Sequence, residues 1–392
     1  MAEQIDKLKK QVKKSRARAL KRSDGDFLMA VLVLALTLFG LVMVFSSSYY
    51  QALSKTGDPY KFLKEAAMWT GLGWMVFLIV SNIDYHYFKL AGWPAIVVGF
   101  ILLFLIFTPL GKTINNATRW LDFKFFTVMP GEVMKTCIIL FYPMYLAQDP
   151  ERIKLNRFKD GLLPMGAIAF AAFFLIYKQP NLSTAGLVVL IVAGMLFVAG
   201  LNKTLVVGAV AAGVAGFLLI INLPQGKYML ERVETFFDPF KDALGSGYQV
   251  VQGLLALGSG GIFGVGIGKS VQKTLYLPEP QNDFILAIIG EELGYVGVLV
   301  LMMVYLLLIW RCFKICVGIK DYYGMMLATG ITLHLALQVI LNIAVVSASF
   351  PPTGVILPFV SQGGNASILF LMEMGILFNI SRHTEDAKLR EI

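Results

Sequence analysis

Charge is scarce in this chain. Asp, Glu, Lys and Arg make up only 15% of its 392 residues, too few to coat a soluble protein of that length. Cysteine is scarcer still. Cys137, Cys312 and Cys316 all lie in or beside apolar segments. An odd number without a CxxC pair offers neither a disulfide framework nor a zinc site, and apolar packing is the plainer role. His86, His334 and His383 stand far apart, without metal-ligand spacing. A nucleotide loop is lacking too. "FGVGIGKS" looks like one, but the phosphate loop needs Gly five residues before Gly268, where Phe263 stands, and no strand precedes it.

What is present is apolar length: 57% of the residues are hydrophobic. Ten runs, near 27–48, 65–81, 89–109, 131–147, 161–178, 183–199, 204–222, 284–310, 322–346 and 361–381, approach the roughly 20 residues that cross a bilayer. They predict an all-α, polytopic membrane protein with about ten transmembrane helices. The net charge of +9 is placed rather than spread. Nine Lys and Arg fall in "KLKKQVKKSRARALKR", residues 7–22, directly ahead of the first run. That pattern reads as a cytoplasmic tail beside an anionic leaflet, not as a nucleic-acid site. The run that follows is too long for a signal peptide and has no clear small-x-small cleavage site. The expected division is a basic cytoplasmic tail (1–26), a transmembrane domain (27–381) and a second cytoplasmic tail (382–392). The 148–160 loop "QDPERIKLNRFKD" supports that orientation.

Two expected outer loops are long. One covers about 110–130; the other, 223–283, carries nine glycines within "GSGYQVVQGLLALGSGGIFGVGIG". A loop that long in a compact helical protein is usually functional, and its apolar stretch suits the membrane interface. It leads into "YLPEPQNDFILAIIGEELG", where Pro278 and Pro280 stop any earlier helix and Asn282 or Asp283 can cap the next. A helix starting near 281 puts Asp283, Ala287 and Glu291 on one stripe, carrying acid about 12 Å inward. Intramembrane acids are costly and face a partner or a cavity. Glu132 and Lys135, in "PGEVMK", are either a self-neutralised pair or the wall of a polar cavity. Arg119, in "TRW", is either a phosphate partner or an interface anchor beside Trp120. "SASFPPTGVILPFVSQGG" is a rigid, irregular turn of the kind that lines a cavity or is buried in protein.

Six motifs occur in order: "NNATRW", "MPGEVMK", "QPNLSTA", "DPFKDALGSGYQVVQGLLALGSGGIFGVGIGKSVQK", "YLPEPQNDFILAIIGEELGY" and "PPTGVILPFVSQGG". Across residues 27 to about 381 the chain resembles the SEDS family (shape, elongation, division and sporulation proteins: FtsW, RodA and SpoVE), and the "GSGYQ…SVQK…YLPEPQ" run is most like the FtsW and SpoVE branch. The resemblance implies a ten-span peptidoglycan glycosyltransferase that polymerises lipid II at the outer face of the bacterial cytoplasmic membrane. It also implies a class B penicillin-binding protein transpeptidase as partner, with other division or sporulation membrane proteins. The family's essential aspartate falls on Asp283, and its Glu/Lys pair falls on Glu132 and Lys135. The chain departs from the family pattern at Asn116, Asn181, Asn282, Ala348, Gln362, Asn365 and Ala366.

The expected reaction is an inverting transfer. Asp283, as general base, takes the proton from the acceptor's GlcNAc 4-hydroxyl, which attacks C1 of MurNAc and makes a β-1,4 link. An ordinary Asp, pKa about 3.9, is a weak base for this; burial, with Glu291 below, raises it. The departing pyrophosphate needs positive charge. Lys269, Lys273, Arg119 and Lys135 are candidates, as is a divalent cation (Mg or Mn); no other cofactor is expected. Gln252, Glu132 and Glu291 complete the expected substrate-binding set. Two rival readings are a lipid II flippase, which needs the same headgroup cavity, and a non-catalytic scaffold of a division complex.

Overall fold

The computed structural model describes residues 25–114, 117–124, 126–148, 161, 163–202, 204–205, 208 and 227–384. Among them lie eleven α-helices: α1 (Phe27–Thr56), α2 (Lys61–Ser81), α3 (Phe88–Leu105), α4 (Pro130–Leu146), α5 (Leu163–Tyr177), α6 (Leu182–Val198), α7 (Lys227–Phe237), α8 (Tyr248–Ser259), α9 (Ile285–Gly318), α10 (Tyr322–Val346) and α11 (Asn365–Ser381). Helices α1, α2, α9 and α10, and α3 with the 3-10 turn before it, are long and apolar enough to cross a membrane; α5, α6 and α11 are shorter apolar helices. The chain is therefore all-α and polytopic. Nine of the ten expected spans hold one of these helices. The one near 204–222 lies almost wholly outside the described residues, as do residues 1–24, 149–160 and 385–392.

Helix α10 is the hub. Of its apolar window 61% is buried, against 22% for α2, α3 and α9, because α4, α6, α9 and α11 all pack on it. The pairs α2–α11, α3–α4, α1–α2, α1–α9 and α5–α6 close the bundle around it. Leu90, Met75, Phe104 and Val300 are exposed on the outside, where lipid is their natural neighbour.

Caps fix the ends. The Asp26 carboxylate accepts from Met29 N at 3.0 Å, capping α1. It also pairs with Arg311 of α9 at 2.6 Å, and its own amide donates to Ser381 Oγ of α11 at 2.8 Å. One residue thus clasps three helices at the base of the bundle. Pro130 opens α4 at a position where its missing N–H costs nothing.

The opposite end, the mouth, differs from the sequence expectation in three ways. First, the 110–130 loop folds into an antiparallel sheet, β1 (Gly111–Ile114), β2 (Ala117–Asp122) and β3 (Thr127–Val128), with Lys112 opposite Trp120 and Leu121 opposite Val128. Second, α8 packs along α9 instead of lying alone at the interface. Gly253 permits this, since a Cβ there would meet the Phe284 ring at 2.7 Å. Third, α9 is broken. Gly294 has φ +70° and ψ −170°, a conformation open to glycine and almost no other residue. At the break the glycine loop pairs strand-like with the helix: Val265 N donates to Glu291 O, Gly266 N to Glu292 O, Tyr295 N to Gly261 O and Val296 N to Ile262 O. These bonds satisfy backbone groups that lipid cannot.

The start of α9 is a correction as well. The helix begins at Ile285 after a turn over 281–284, and Phe284 occupies its cap position without a side-chain bond. Asp283 therefore caps nothing and stands one residue ahead of the cap, so it is not the first member of a helical stripe through Ala287 and Glu291.

Candidate active site

Between α10 and α11 the chain forms an irregular arch, residues 347–364. Pro351, Pro352 and Pro358 rule out a helix there, so its carbonyls need other donors. Side chains supply them. Arg232 Nη1 donates to Pro352 O at 2.6 Å, Asn342 Nδ2 to Val355 O at 2.7 Å and Gln338 Nε2 to Ile356 O at 3.3 Å. The Tyr305 hydroxyl donates to Pro358 O. Gln338 and Asn342, with His334, sit at i, i+4 and i+8 on one buried face of α10. The polar stripe at this spacing is on α10, not on α9.

Asn342 also joins the arch to Asp283, because the same Nδ2 donates to Asp283 O at 2.8 Å. The Asp283 carboxyl faces the arch: a Cβ on Gly354 would lie 3.9 Å from its Oδ2. A narrow access remains, but the atoms crowded around it displace most of its hydration. Burial is the main cause that pushes its pKa up to about 7. The backbone amides of Asp283 and Phe284 and the Arg232 charge oppose the rise, and the Glu279 charge adds to it.

The Glu132–Lys135 pair is formed, at 2.9 Å, with the lysine fully buried. Lys135 Nζ also donates to Gln338 Oε1 at 2.9 Å. Gln338 thereby bridges the pair to the arch, and the two sequence motifs meet at one wall. The deeper acids serve the loop instead. Glu291 accepts from Ser270 Oγ and, at 2.8 Å, from Val271 N. Glu292, fully buried, pairs with Lys273 at 2.6 Å and accepts from Ser46 Oγ of α1. Lys273 and Glu291 thus hold the glycine loop to α9 and α1.

Arg119 donates to the carbonyls of Gln179 and Pro180 and so ties β2 to the turn before α6. Asn181, one of the departures from the family pattern, caps α6 by accepting from Thr184 N, a role that asks only for a side-chain oxygen. Lys269 is exposed on the glycine loop and Gln252 is half-buried on α8. Deeper in the bundle, Glu373 of α11 accepts from Thr136 Oγ1 at 2.6 Å and lies 2.8 Å from His334 Nδ1. Among the described residues, no three His, Cys, Asp or Glu side chains gather where a metal ion could be held.

Sequence reasoning missed Arg232, Gln338, Asn342 and Glu279. The two amides carried a usable signal, since polar side chains one turn apart inside an apolar helix are there for a partner. Arg232 carried none: it lies in a loop helix some 50 residues from Asp283 in sequence. Chemically, the arrangement offers a carboxyl whose pKa burial pushes up to about 7, at the mouth of an apolar bundle and linked through the arch and Gln338 to a buried ion pair, which suits it to take a proton from a hydroxyl.

The family model for cell cycle proteins of the FtsW, RodA and SpoVE type matches residues 26–386. The chain is 37% identical over 366 residues to stage V sporulation protein E of Bacillus subtilis, covering 93% of this chain and 99% of that protein. It is 34% identical over 361 residues to the probable peptidoglycan glycosyltransferase FtsW of Trichlorobacter lovleyi, covering 92% and 93%. Among solved structures it is similar to a chain of a peptidoglycan synthase complex that coordinates polymerization and crosslinking (26% identity, TM-score 0.75, covering 92% of this chain and 99% of that one). It shares its fold with the rod shape determining protein RodA of Thermus thermophilus (23% identity, TM-score 0.67, covering 92% and 98%).

Proposed function

Because the chain belongs to the FtsW, RodA and SpoVE family of cell cycle proteins, we propose that it is a peptidoglycan glycosyltransferase of cell division or sporulation, with Asp283 as its general base. The Asp283 carboxylate takes the proton of an acceptor sugar hydroxyl on lipid II. That oxygen forms the new bond to C1 of the donor sugar. The bond from C1 to the lipid pyrophosphate breaks, and its electron pair leaves with the pyrophosphate. Attack from the opposite face inverts C1, giving the β-1,4 link. The proton then passes from Asp283 to water at the mouth.

The observation that carries this is the Asp283 carboxyl facing the arch at Gly354, with its main chain held by Asn342; burial there pushes its pKa up to about 7. A base with a pKa near the working pH combines a useful ionised fraction with real basicity, and such a base contributes about 10²–10⁴-fold. The mouth lies on the outer side, since the basic segment 7–22 precedes α1 and positive charge stays inside. Nucleotide sugars are scarce there, so a lipid-linked donor fits. The partner is a class B penicillin-binding protein that cross-links the new strands, in line with the synthase complex that the fold resembles.

The test is polymerisation of fluorescent lipid II by the full chain with its penicillin-binding partner, read as glycan ladders on a gel. The expected result is a ladder for wild type and none for Asp283→Asn. A ladder in both moves the base elsewhere. No ladder in either, followed by lipid II flipping in sealed vesicles, would replace the enzyme with the transporter.

A further inference from the structure

The glycosyl transfer leaves a pyrophosphate at a mouth where three of the four sequence-expected cations are engaged elsewhere and the fourth, Lys269, is exposed on the glycine loop. Lys273 is held by Glu292 and Lys135 by Glu132, and Arg119 lies on the Gln179 and Pro180 carbonyls. Among the described residues, Arg232 is a cation bonded to the arch. Its Nη1 donates to Pro352 O, two residues from Gly354, whose Cβ position faces the Asp283 carboxyl. Asn342 locks the next arch carbonyl, Val355 O, to the backbone of Asp283. Base, arch and guanidinium are therefore linked through a few bonds. Helix α7 delivers the arginine and is itself pinned by Thr235 Oγ1 donating to Ser246 Oγ at 3.1 Å.

On the glycosyltransferase reading above, we propose that Arg232 is a catalytic residue that binds the pyrophosphate of the lipid-linked donor and stabilises the negative charge it gains as the bond to C1 breaks. A planar guanidinium matches two phosphate oxygens at once, which an ammonium cannot do. Such a charge acts mainly in the transition state, when the electron pair arrives on the leaving oxygen. Base and cation thereby divide the two halves of the reaction between them. Asp283 collects the proton from the acceptor, and Arg232 receives the anion. The charged groups that act on the Asp283 carboxyl are Glu279 and Arg232.

The alternative is that Arg232 only pins Pro352. Two substitutions separate charge from hydrogen bonding. Arg232→Gln keeps an N–H donor for Pro352 O and loses the charge; Arg232→Lys keeps the charge and loses the fork. Both are assayed with wild type, as the full chain with its penicillin-binding partner, on fluorescent lipid II across the pH range around neutrality. The expected result is a kcat about 10²-fold lower for Arg232→Gln, with Arg232→Lys less affected. The residual activity of Arg232→Gln should also have its acidic limb moved to higher pH, because the charge opposing protonation of Asp283 is gone. An Arg232→Gln enzyme at the wild-type rate would overturn the proposal. So would equal losses in both variants with the limb unmoved, which assigns Arg232 to holding the arch. Either result, with wild type active and Asp283→Asn inert, leaves the glycosyltransferase reading standing; an inert wild type is what would sink that reading.

Discussion

Asn342 holds Asp283 by its main chain: its fully buried side-chain amide donates to Asp283 O at 2.8 Å and, from the same nitrogen, to Val355 O at 2.7 Å. The base and the arch it faces share one donor. Asn342→Leu strips both carbonyls of it. Each buried acceptor left unpaired costs about 1–3 kcal/mol, so unfolding in detergent should come at a clearly lower temperature. Turnover should fall more than KM rises, because the base is displaced while the binding surface remains. An unchanged unfolding temperature would mean the shared bond carries no weight.

The pH profile follows from the Asp283 carboxyl. Its pKa is raised from 3.8 to about 7. Only the deprotonated form accepts a proton, so kcat should climb as pH rises through about 7 and fall on the acid side. Glu279→Gln removes a negative charge that favours protonation, and the acid limb should then move to lower pH. A flat profile between mildly acid and mildly alkaline pH would exclude Asp283 as the titrating base.

The loop anchor is a buried ion pair, Lys273 with Glu292, bridged by Ser46. Removing one member leaves a charge buried and uncompensated, at a cost of about 3–5 kcal/mol. Lys273→Met and Glu292→Leu should each destabilise strongly, whereas the two together should recover much of the loss. Thermal unfolding of the three proteins checks this. Additive losses in the double variant would show that the two charges do not interact.

Gly294 makes the break in α9 possible. Its φ is +70°, and a Cβ there would sit 2.3 Å from Gly264 N and 2.5 Å from Ile262 O. Gly294→Ala should cost at least about 1–3 kcal/mol and separate the glycine loop from the helix. Gly186→Ala, in α6 with open space around it, is the matched control and should be silent. If both variants melt like wild type, the break is not required.

The helical membrane architecture was legible because hydropathy is additive along a run: residues 322–346 were read to the residue, and α4 within one. Asp283 was legible as an acid displaced from water. So was the spacing of Glu132 and Lys135, since neighbours three apart on a helix touch. What failed was long-range. Glu291 read as a substrate-binding acid, but its partners Ser270 and Val271 are supplied by the glycine loop, and local spacing says nothing of that. Gly294 stands inside a long apolar run, and nothing in the local pattern marks its φ of +70°. The sheet had one faint signal, Asn115-Asn116 between two short segments that each hold one Thr, Thr113 and Thr118, too short to weigh against a plain loop.

The seam between the glycine loop and α9 has a consequence for biogenesis. Residues 261–266 leave the ribosome some thirty residues ahead of 291–296, their partners across the seam. Until those partners arrive, the amides of Val265 and Gly266 have only water to bond, and bare amides do not enter hydrocarbon. The loop must therefore wait in water until α9 is inserted and then zip down its side. The half of the molecule that holds the base is completed late in synthesis, by a segment made early.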